Sequence, residues 1–503
     1  MPVPSSPKKP HGRGRSASGT PPRPPRTAGL LIAGATIAAA AALWFAVSAV
    51  GPLPGETPVN GLLFGLWNIL YAADAPPVNI VLSAIFLALF LALGVALLEQ
   101  RITNRTRRST NGGSTPLAPK IIMETTRGVY AGPVTITVLV PAHNEQASLP
   151  QTLASLFEQS HPPERVVVVA DNCTDSTVDI ARAAGVDVFE TVGNTHKKGG
   201  ALNQALRKIL PGLGDNDVVM IMDADTALDD GFLANAARRM SEDRALMAVG
   251  GLFYGEQGHG LLGQFQRNEY IRYAREMRRR RGRVFVLTGT ASVFRPVALR
   301  AIAEGRGDSL PGIHGDVYDT ASLTEDNELT IALKSLGGLM ISPQNCTVVT
   351  ELMPTWKTLW AQRLRWQRGA LENIGAYGLT PQTMRYWAQQ LGIGYGVIAL
   401  GTYLLLILLM ALSLDDWVWF PFWLGLGLIF TIERVATVWK GGWKARGLAL
   451  LVFPELVFDM FLNIVYVKGV IDLSIGRKAD WKHLSHISPP QTEHLPKKSS
   501  PGL

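Results

Sequence analysis

Hydrophobic positions along the chain fall into two kinds of block. Residues 28–50 (AGLLIAGATIAAAAALWFAVSAV) and 78–98 are near-continuous apolar runs. Each is long enough as a helix, at about 1.5 Å per residue, to cross about 30 Å of hydrocarbon. Three more apolar runs, at 388–412, 416–433 and 447–468, predict further membrane spans. Between 134 and 350 the pattern changes: short apolar runs (TITVLVP, RVVVVAD, DVVMIMD) alternate with helical stretches at 146–157, 175–184 and 200–210. Strands separated by helices predict an α/β domain on a parallel sheet, with its ligand site at the carboxyl ends of the strands. Residues 355–375 form an amphipathic stretch that predicts an interfacial helix.

Composition supports this segregation. The chain is 47% hydrophobic yet keeps 48 Lys and Arg and 40 Asp and Glu. Much of the net charge of +8 lies beside the apolar runs, where it sets orientation toward a lipid bilayer rather than binding nucleic acid. Residues 1–27 carry six basic and no acidic residues and read as a disordered cytoplasmic tail. The loop 51–77 has no Lys or Arg, whereas Arg101, Arg105, Arg107, Arg108 and Lys120 follow the second run. That asymmetry puts the loop outside and the α/β domain in the cytoplasm. A cleaved signal peptide ending near Ala49 is the competing reading; the apolar run is too long for it. Three C-terminal spans would leave the tail outside, against Arg477, Lys478 and Lys482; one interfacial or re-entrant segment reconciles the two. The expected divisions are 1–27, 28–100, 130–375, 385–470 and 471–503. Two cysteines, Cys173 and Cys346, exclude a disulfide scaffold.

Six polar elements carry candidate chemistry. Asn144 and Glu145 follow the first strand, where ligand contact and helix capping fit equally. Asp171 follows the second strand and offers acceptors for a base or ribose, while Asp175 suits a helix start. Lys197-Lys198-Gly199-Gly200 suits a diphosphate or a solvated basic turn. Asp223 and Asp225 end a buried strand; two apart in extended backbone they point the same way and can share a Mg²⁺ or Mn²⁺. An N-cap with a neighbouring acid is the alternative. Glu325 and Asp326 open a helix, a setting for a general base and also for an ordinary capped helix. Gln362, Arg365 and Trp366 share a helix face suited to a pyrophosphate beside a sugar, or to a membrane interface. The run Arg278 to Arg283 reads as a solvated or lipid-facing surface, and His143 and Cys173 as structural.

The ordered set PAHNE, ADNCTD, MDAD, TED and QRLRW resembles the membrane-integrated family-2 glycosyltransferases, which include cellulose, chitin, hyaluronan and poly-N-acetylglucosamine synthases. The resemblance spans about 78 to 470, and LWAQRLRWQRGALENI looks closest to the poly-N-acetylglucosamine branch. It implies a Rossmann-like α/β GT-A domain inserted between N-terminal and C-terminal transmembrane helices, working by inversion. It further implies that Asn144, Glu145, Asp171, Lys198 and Asp223 bind the nucleotide-sugar, and that Asp223 and Asp225 hold the metal. Asp326 would be the base with Glu325 beside it, and Gln362, Arg365 and Trp366 would meet the diphosphate and acceptor. Ala170 stands where the family often has an aspartate, and Thr330 and Ala332 where a tryptophan often occurs. These departures leave the sugar and linkage open.

The expectation is a cell-membrane enzyme using a UDP-sugar and a polysaccharide acceptor, with an export partner in some such systems. A lipid-linked acceptor is the alternative. An inactive membrane scaffold is the outsider, since every expected carboxylate is present.

Overall fold

The computed structural model describes residues 26–49, 58–62, 67–70, 133–280, 282–412 and 421–477, with positions 86, 90 and 97. The second predicted span, 78–98, and most of the N-terminal tail lie outside these residues, as do Asp415, Asp416, Lys478 and Lys482.

Helix α1 (Arg26–Ala49) precedes a hairpin of β1 (Pro58–Leu62) and β2 (Trp67–Leu70). The α/β domain then runs β3 (Thr135–Ala142), α2 (Leu149–Phe157), β4 (Arg165–Ala170), α3 (Thr177–Ala183), β5 (Asp187–Glu190), α4 (Lys197–Ile209), β6 (Asp217–Met222) and β7 (Thr226–Leu228). It continues with α5 (Phe232–Glu242), β8 (Leu246–Gly250), β9 (Leu252–Gly255), α6 (Gly260–Arg279), β10 (Ala291–Phe294), α7 (Pro296–Gly305), α8 (Glu325–Ser335), β11 (Leu339–Ile341) and β12 (Thr347–Thr350). Helix α9 (Trp356–Tyr377) leads to α10 (Met384–Leu412), α11 (Pro421–Thr437), α12 (Gly442–Leu451) and α13 (Phe453–Ser474).

The main sheet has the order β11-β8-β10-β6-β3-β4-β5. Strands β6, β3, β4 and β5 are parallel, but β10 is antiparallel to both β6 and β8. The sheet is therefore mixed, which corrects the all-parallel expectation: after α6 the chain enters β10 in the opposite direction, between β8 and β6. The strands are buried on both faces, with period two. Ile136, Val138 and Val140 join the core under α2, α3 and α5, while Leu139, Val169, Val219 and Ile221 join the core under α4, α7 and α8. Each fully buried Val or Ile contributes about 1.5–3 kcal/mol relative to exposure. A second sheet, β7-β12-β9, lies beside the first.

Helix α9 begins with a capping box at Thr355 and Thr358 and packs along α13, where Trp356 and Trp360 meet Phe458 and Phe461. Among the described residues no single helix is long and apolar enough to cross a membrane. The segment Trp439–Leu451 with Phe453–Ser474 passes that test only as a pair bent by 84°. The predicted straight run 447–468 is thus broken at Val452, whose φ of 53° ends α12, with Pro454 in the first turn of α13. Large apolar side chains stay exposed on several of these helices, including Leu31, Leu405, Leu408, Ile429 and Ile471.

Candidate active site

Parallel alignment of β3, β4 and β6 brings three loop starts to one edge of the sheet. Asn144 follows β3 in the left-handed region (φ 59°), and its Oδ1 accepts from Thr174 N at 2.7 Å, tying the first loop to the second. Glu145 accepts from Ser148 Oγ at 2.6 Å. Asp171 is buried, and its Oδ1 accepts from Thr191 Oγ1 (2.8 Å), Asn194 Nδ2 (2.8 Å) and Asn172 Nδ2 (3.0 Å). That oxygen is committed to the protein, so a base or ribose contact would fall to the other. Asp175 accepts from Thr177 and Gln146 and is the helix-start acid expected. His143 Nδ1 lies 2.6 Å from Asp171 O and Cys173 Sγ donates to Ala142 O, both structural.

The glycines after Lys198 serve this scaffold as well. A Cβ on Gly200 would stand 2.2 Å from Asn194 Oδ1, so the start of α4 approaches the loop that fixes Asp171. The close approach there is to the protein's own Asn194. Lys198 Nζ lies 2.5 Å from Asp223 Oδ1 and 3.4 Å from Glu325 Oε1. Burial would lower its ammonium, but those carboxylates outweigh it and hold Lys198 above the ordinary lysine value. The diphosphate contact expected of Lys198 must therefore share it with an internal ion pair.

Asp223 and Asp225 flank Ala224 at the end of β6. Burial raises the Asp223 carboxyl despite Lys198. For Asp225, burial and the nearby Asp223, Glu145 and Glu351 push it up to about 7. Glu351 carries no motif of its own. Thr350 pairs with Thr226 across β12 and β7, so the next residue, Glu351, comes opposite Asp225. Among the described residues no three His, Cys, Asp or Glu side chains converge to hold a metal by themselves. A carboxylate pair crowded by two further acids nevertheless fits a divalent cation whose remaining positions are filled by ligand and water oxygens.

Asp326 sits in the first turn of α8. Its Oδ1 accepts from Asn327 N (2.7 Å) and its Oδ2 from Gly289 N (3.2 Å). Burial and the adjacent Glu325 push Asp326 up to about 6, whereas Lys198 and Arg365 hold Glu325 below its ordinary value in spite of burial. The two neighbours are thus driven apart, Glu325 toward the fixed anion and Asp326 toward a carboxyl that holds its proton more tightly. Lys198, Thr288, Gly289, Tyr318, Glu325 and Asp326 line one pocket. Helix α9 closes against it: a Cβ on Gly369 would lie 2.4 Å from Thr324 Oγ1, and Asn373 donates to Thr324 O.

Of the α9 triplet, Arg365 belongs to the cluster by its charge coupling to Asp223 and Glu325. Gln362 Oε1 is buried without a hydrogen-bond partner among the described residues. Trp366 is less free than the sequence suggests, since the guanidinium of Arg363 lies 4.2 Å from its ring centroid. Arg363 went unremarked in the sequence; it is buried and pairs with Glu269 at 2.7 Å. Glu328 was also missed. It forms a buried two-pronged pair with Arg306 (2.5 and 2.7 Å) and accepts from Tyr377 Oη at 2.5 Å, joining α8 to α9. The arginine run folds inward rather than out. Arg280 pairs with Glu276 at 2.7 Å, and only Arg279 is exposed among its described members.

Residues 137–303 match the family described as Glycosyl transferase family 2. The probable glycosyltransferase YdaM of Bacillus subtilis is 30% identical over 248 residues, 46% of this chain and 54% of that protein. The poly-beta-1,6-N-acetyl-D-glucosamine synthase of Staphylococcus epidermidis is 24% identical over 246 residues, 48% of this chain and 55% of that one. The chain therefore spans about half the length of the curated relatives it matches. Mannosyltransferase PcManGT from Pyrobaculum calidifontis, solved with GDP-Man and Mn²⁺, aligns with a TM-score of 0.46 at 18% identity, over 78% of this chain and 99% of that one. The stretch that matches the glycosyl transferase family 2 model lies within the α/β domain built on the mixed sheet.

Proposed function

We propose that this chain is an inverting, membrane-integrated glycosyltransferase that moves a sugar from a UDP-sugar, N-acetylglucosamine first among them, onto a growing β-linked polysaccharide. The observation that carries the transferase reading is the meeting of Asp223, Lys198, Glu325, Asp326 and Arg365 in one cleft at the carboxyl end of β6. Membrane integration is supported by the apolar side chains left exposed on α1, α10, α11 and α13. The polymer acceptor is supported by the named Staphylococcus epidermidis relative.

The residues divide the work. Asp326, raised to about 6, is an anion at neutral pH and basic enough to take the proton of an acceptor hydroxyl. The hydroxyl oxygen attacks the anomeric carbon as the bond to the β-phosphate oxygen breaks. Lys198 and Arg365 supply positive charge toward the departing diphosphate. Asp223 and Asp225 would hold a divalent cation, which when bound neutralises charge on the leaving nucleoside diphosphate. Gly289 N–H keeps the Asp326 carboxylate oriented.

Detergent-solubilised protein supplied with UDP-GlcNAc, UDP-Glc, UDP-GlcA and UDP-Gal, each with Mg²⁺ or Mn²⁺, tests this reading by nucleotide release and product size. Turnover of one donor into high-molecular-mass material, lost in Asp326→Asn, is the expected result. Sugar recovered only in lipid extract would replace the polymer with a lipid acceptor, and no release from any donor would overturn the transferase reading.

A further inference from the structure

Helix α13 is polar on the inside and apolar on the outside. Its exposed residues are Phe453, Val457, Met460, Ile464, Val467 and Ile471, all large and apolar, and between 37% and 59% exposed. They recur every three or four positions and so form one stripe along the helix. The acids face the protein instead. Glu455 and Asp472 are buried, Asp459 pairs with Arg434 of α11, and Asp472 pairs with Lys468 one turn away. A helix facing water presents the opposite arrangement, with its charges outward and its apolar stripe on the core. The outward face of α13 is therefore built for an apolar medium.

Such a helix either crosses the medium or lies in it. With 22 residues, α13 is about 33 Å long, enough to cross. Its ends decide the matter. In the first turn, Glu455 accepts from Asn268 Nδ2 (2.9 Å) and Arg272 Nη2 (2.6 Å), both on α6 of the α/β domain. Past the last turn, Arg477 O accepts from the guanidinium of Arg368 on α9. Between these points α13 runs beside α9 in the same direction. Phe461 meets Trp360 at 5.7 Å between ring centroids, and a Cβ on Gly469 would lie 3.7 Å from Leu364 and Gln367. Helix α9 carries Lys357, Arg363, Arg365, Arg368 and Glu372, a charge load that hydrocarbon does not accept. Both ends of α13 thus rest on the α/β domain, and ends held that way share one side of a bilayer. The 84° bend at Val452 carries the surface onward. Helix α12 exposes Trp443, Leu450 and Leu451, and the Arg446 guanidinium lies 4.1 Å from the Trp439 ring centroid, aromatic and cationic groups of the kind that settle at headgroup level.

We propose that α13 lies flat in one leaflet, its stripe from Phe453 to Ile471 sunk at the boundary between headgroups and acyl chains, so that it seats the α/β domain on the bilayer without crossing it. Arg477 then stays on the side of the α/β domain. This placement rests on the membrane integration proposed for the chain and adds to it which helix does not span.

Full-length protein carrying Cys173→Ser and Cys346→Ser receives one further substitution, Val457→Cys, Ile464→Cys or Ile471→Cys, or Leu405→Cys on α10 as reference, and is labelled with bimane. It is reconstituted in phosphatidylcholine vesicles with nitroxides placed either near the headgroup or near the chain ends. The α13 labels are all expected to be quenched about twofold more by the shallow nitroxide than by the deep one, the depth of an in-plane helix. A crossing helix would instead be quenched by the deep nitroxide at Ile464→Cys, which overturns the proposal. Quenching at Leu405→Cys with none on α13 overturns it too, since protein then covers the stripe. No quenching at any position removes the membrane reading itself and the placement with it. Should the protein without its native cysteines fail to fold, the parent protein decides. In membrane vesicles that expose the α/β domain, external protease should also release a C-terminal peptide tag, and a protected tag would overturn the in-plane placement.

Discussion

Lys198 Nζ stands 2.5 Å from Asp223 Oδ1, joining the first turn of α4 to the carboxyl end of β6. Replacing Lys198 by Met removes the cation that offsets both Asp223 and Glu325. Nucleotide release should fall by about 10²–10³-fold, the scale of losing one preorganised electrostatic group. Steady-state kinetics checks this, with Lys198→Arg recovering part of the loss.

Asp326 titrates near 6 against an ordinary value of 3.8, with burial first and Glu325 second among the causes. In the proposed reaction it works as a carboxylate, so at saturating Mn²⁺ kcat/KM should fall as pH drops through about 6 and lie flat above it. Stability runs the other way. The folded state holds this proton more tightly than the unfolded chain, so the stabilisation is complete below the unfolded value and is lost as pH rises through about 6. Asp326→Asn should then abolish turnover yet stabilise the fold at pH 8 by about 1–3 kcal/mol. Denaturant titration at pH 5 and pH 8 reads the difference.

Asp225 sits near 7 with Asp223, Glu145 and Glu351 about it. Uptake of Mn²⁺ there should displace a proton, so its affinity should strengthen as pH rises through about 7. Calorimetry in buffers of different ionisation enthalpy would register the proton. Asp225→Asn should weaken Mn²⁺ binding by about tenfold or more and remove its pH dependence.

Arg306 and Glu328 are fully buried, with side-chain exposures of 0% and 2%. Breaking the pair in Arg306→Met should cost about 3–5 kcal/mol, because it strands a buried carboxylate. Arg306→Met with Glu328→Leu should regain much of that. Thermal unfolding of the two single variants and the double variant measures it.

Gly369 lies where a Cβ would come within 2.4 Å of Thr324 Oγ1. Gly369→Ala must push α9 away from the start of α8, costing about 1–3 kcal/mol. Because Asp326 lies two residues beyond Thr324, nucleotide release should drop together with the unfolding temperature.

The cleft was legible where a strand runs into polar residues, because the carboxyl end of a buried parallel strand opens at the sheet edge whatever surrounds it. Asn144, Asp171, Asp223 and Asp225 were found that way, and TED by its place at a helix start. Glu351 was not, since only the pairing of Thr350 with Thr226 brings it near Asp225, and cross-strand register is a tertiary property. The short strand β10 left no strong signal, so the sheet was read as parallel. Arg363 was masked by Arg365 two positions on; which arginine turns inward depends on Glu269, on a helix about ninety residues earlier. Val452 sits two residues before Pro454 in an apolar run that also carries Glu455 and Asp459, and hydropathy records the solvent a segment prefers and not its direction.

The Arg306, Glu328 and Tyr377 contact also bears on how the cleft admits its substrates. It ties helix α8 to helix α9 through the Tyr377 hydroxyl, held on the buried carboxylate of Glu328. These two helices therefore travel as one jaw, and parting them would expose an ion pair. The loops that carry Asn144 and Asp171 are tied to one another by the hydrogen bonds Asn144–Thr174 and Asn194–Asp171.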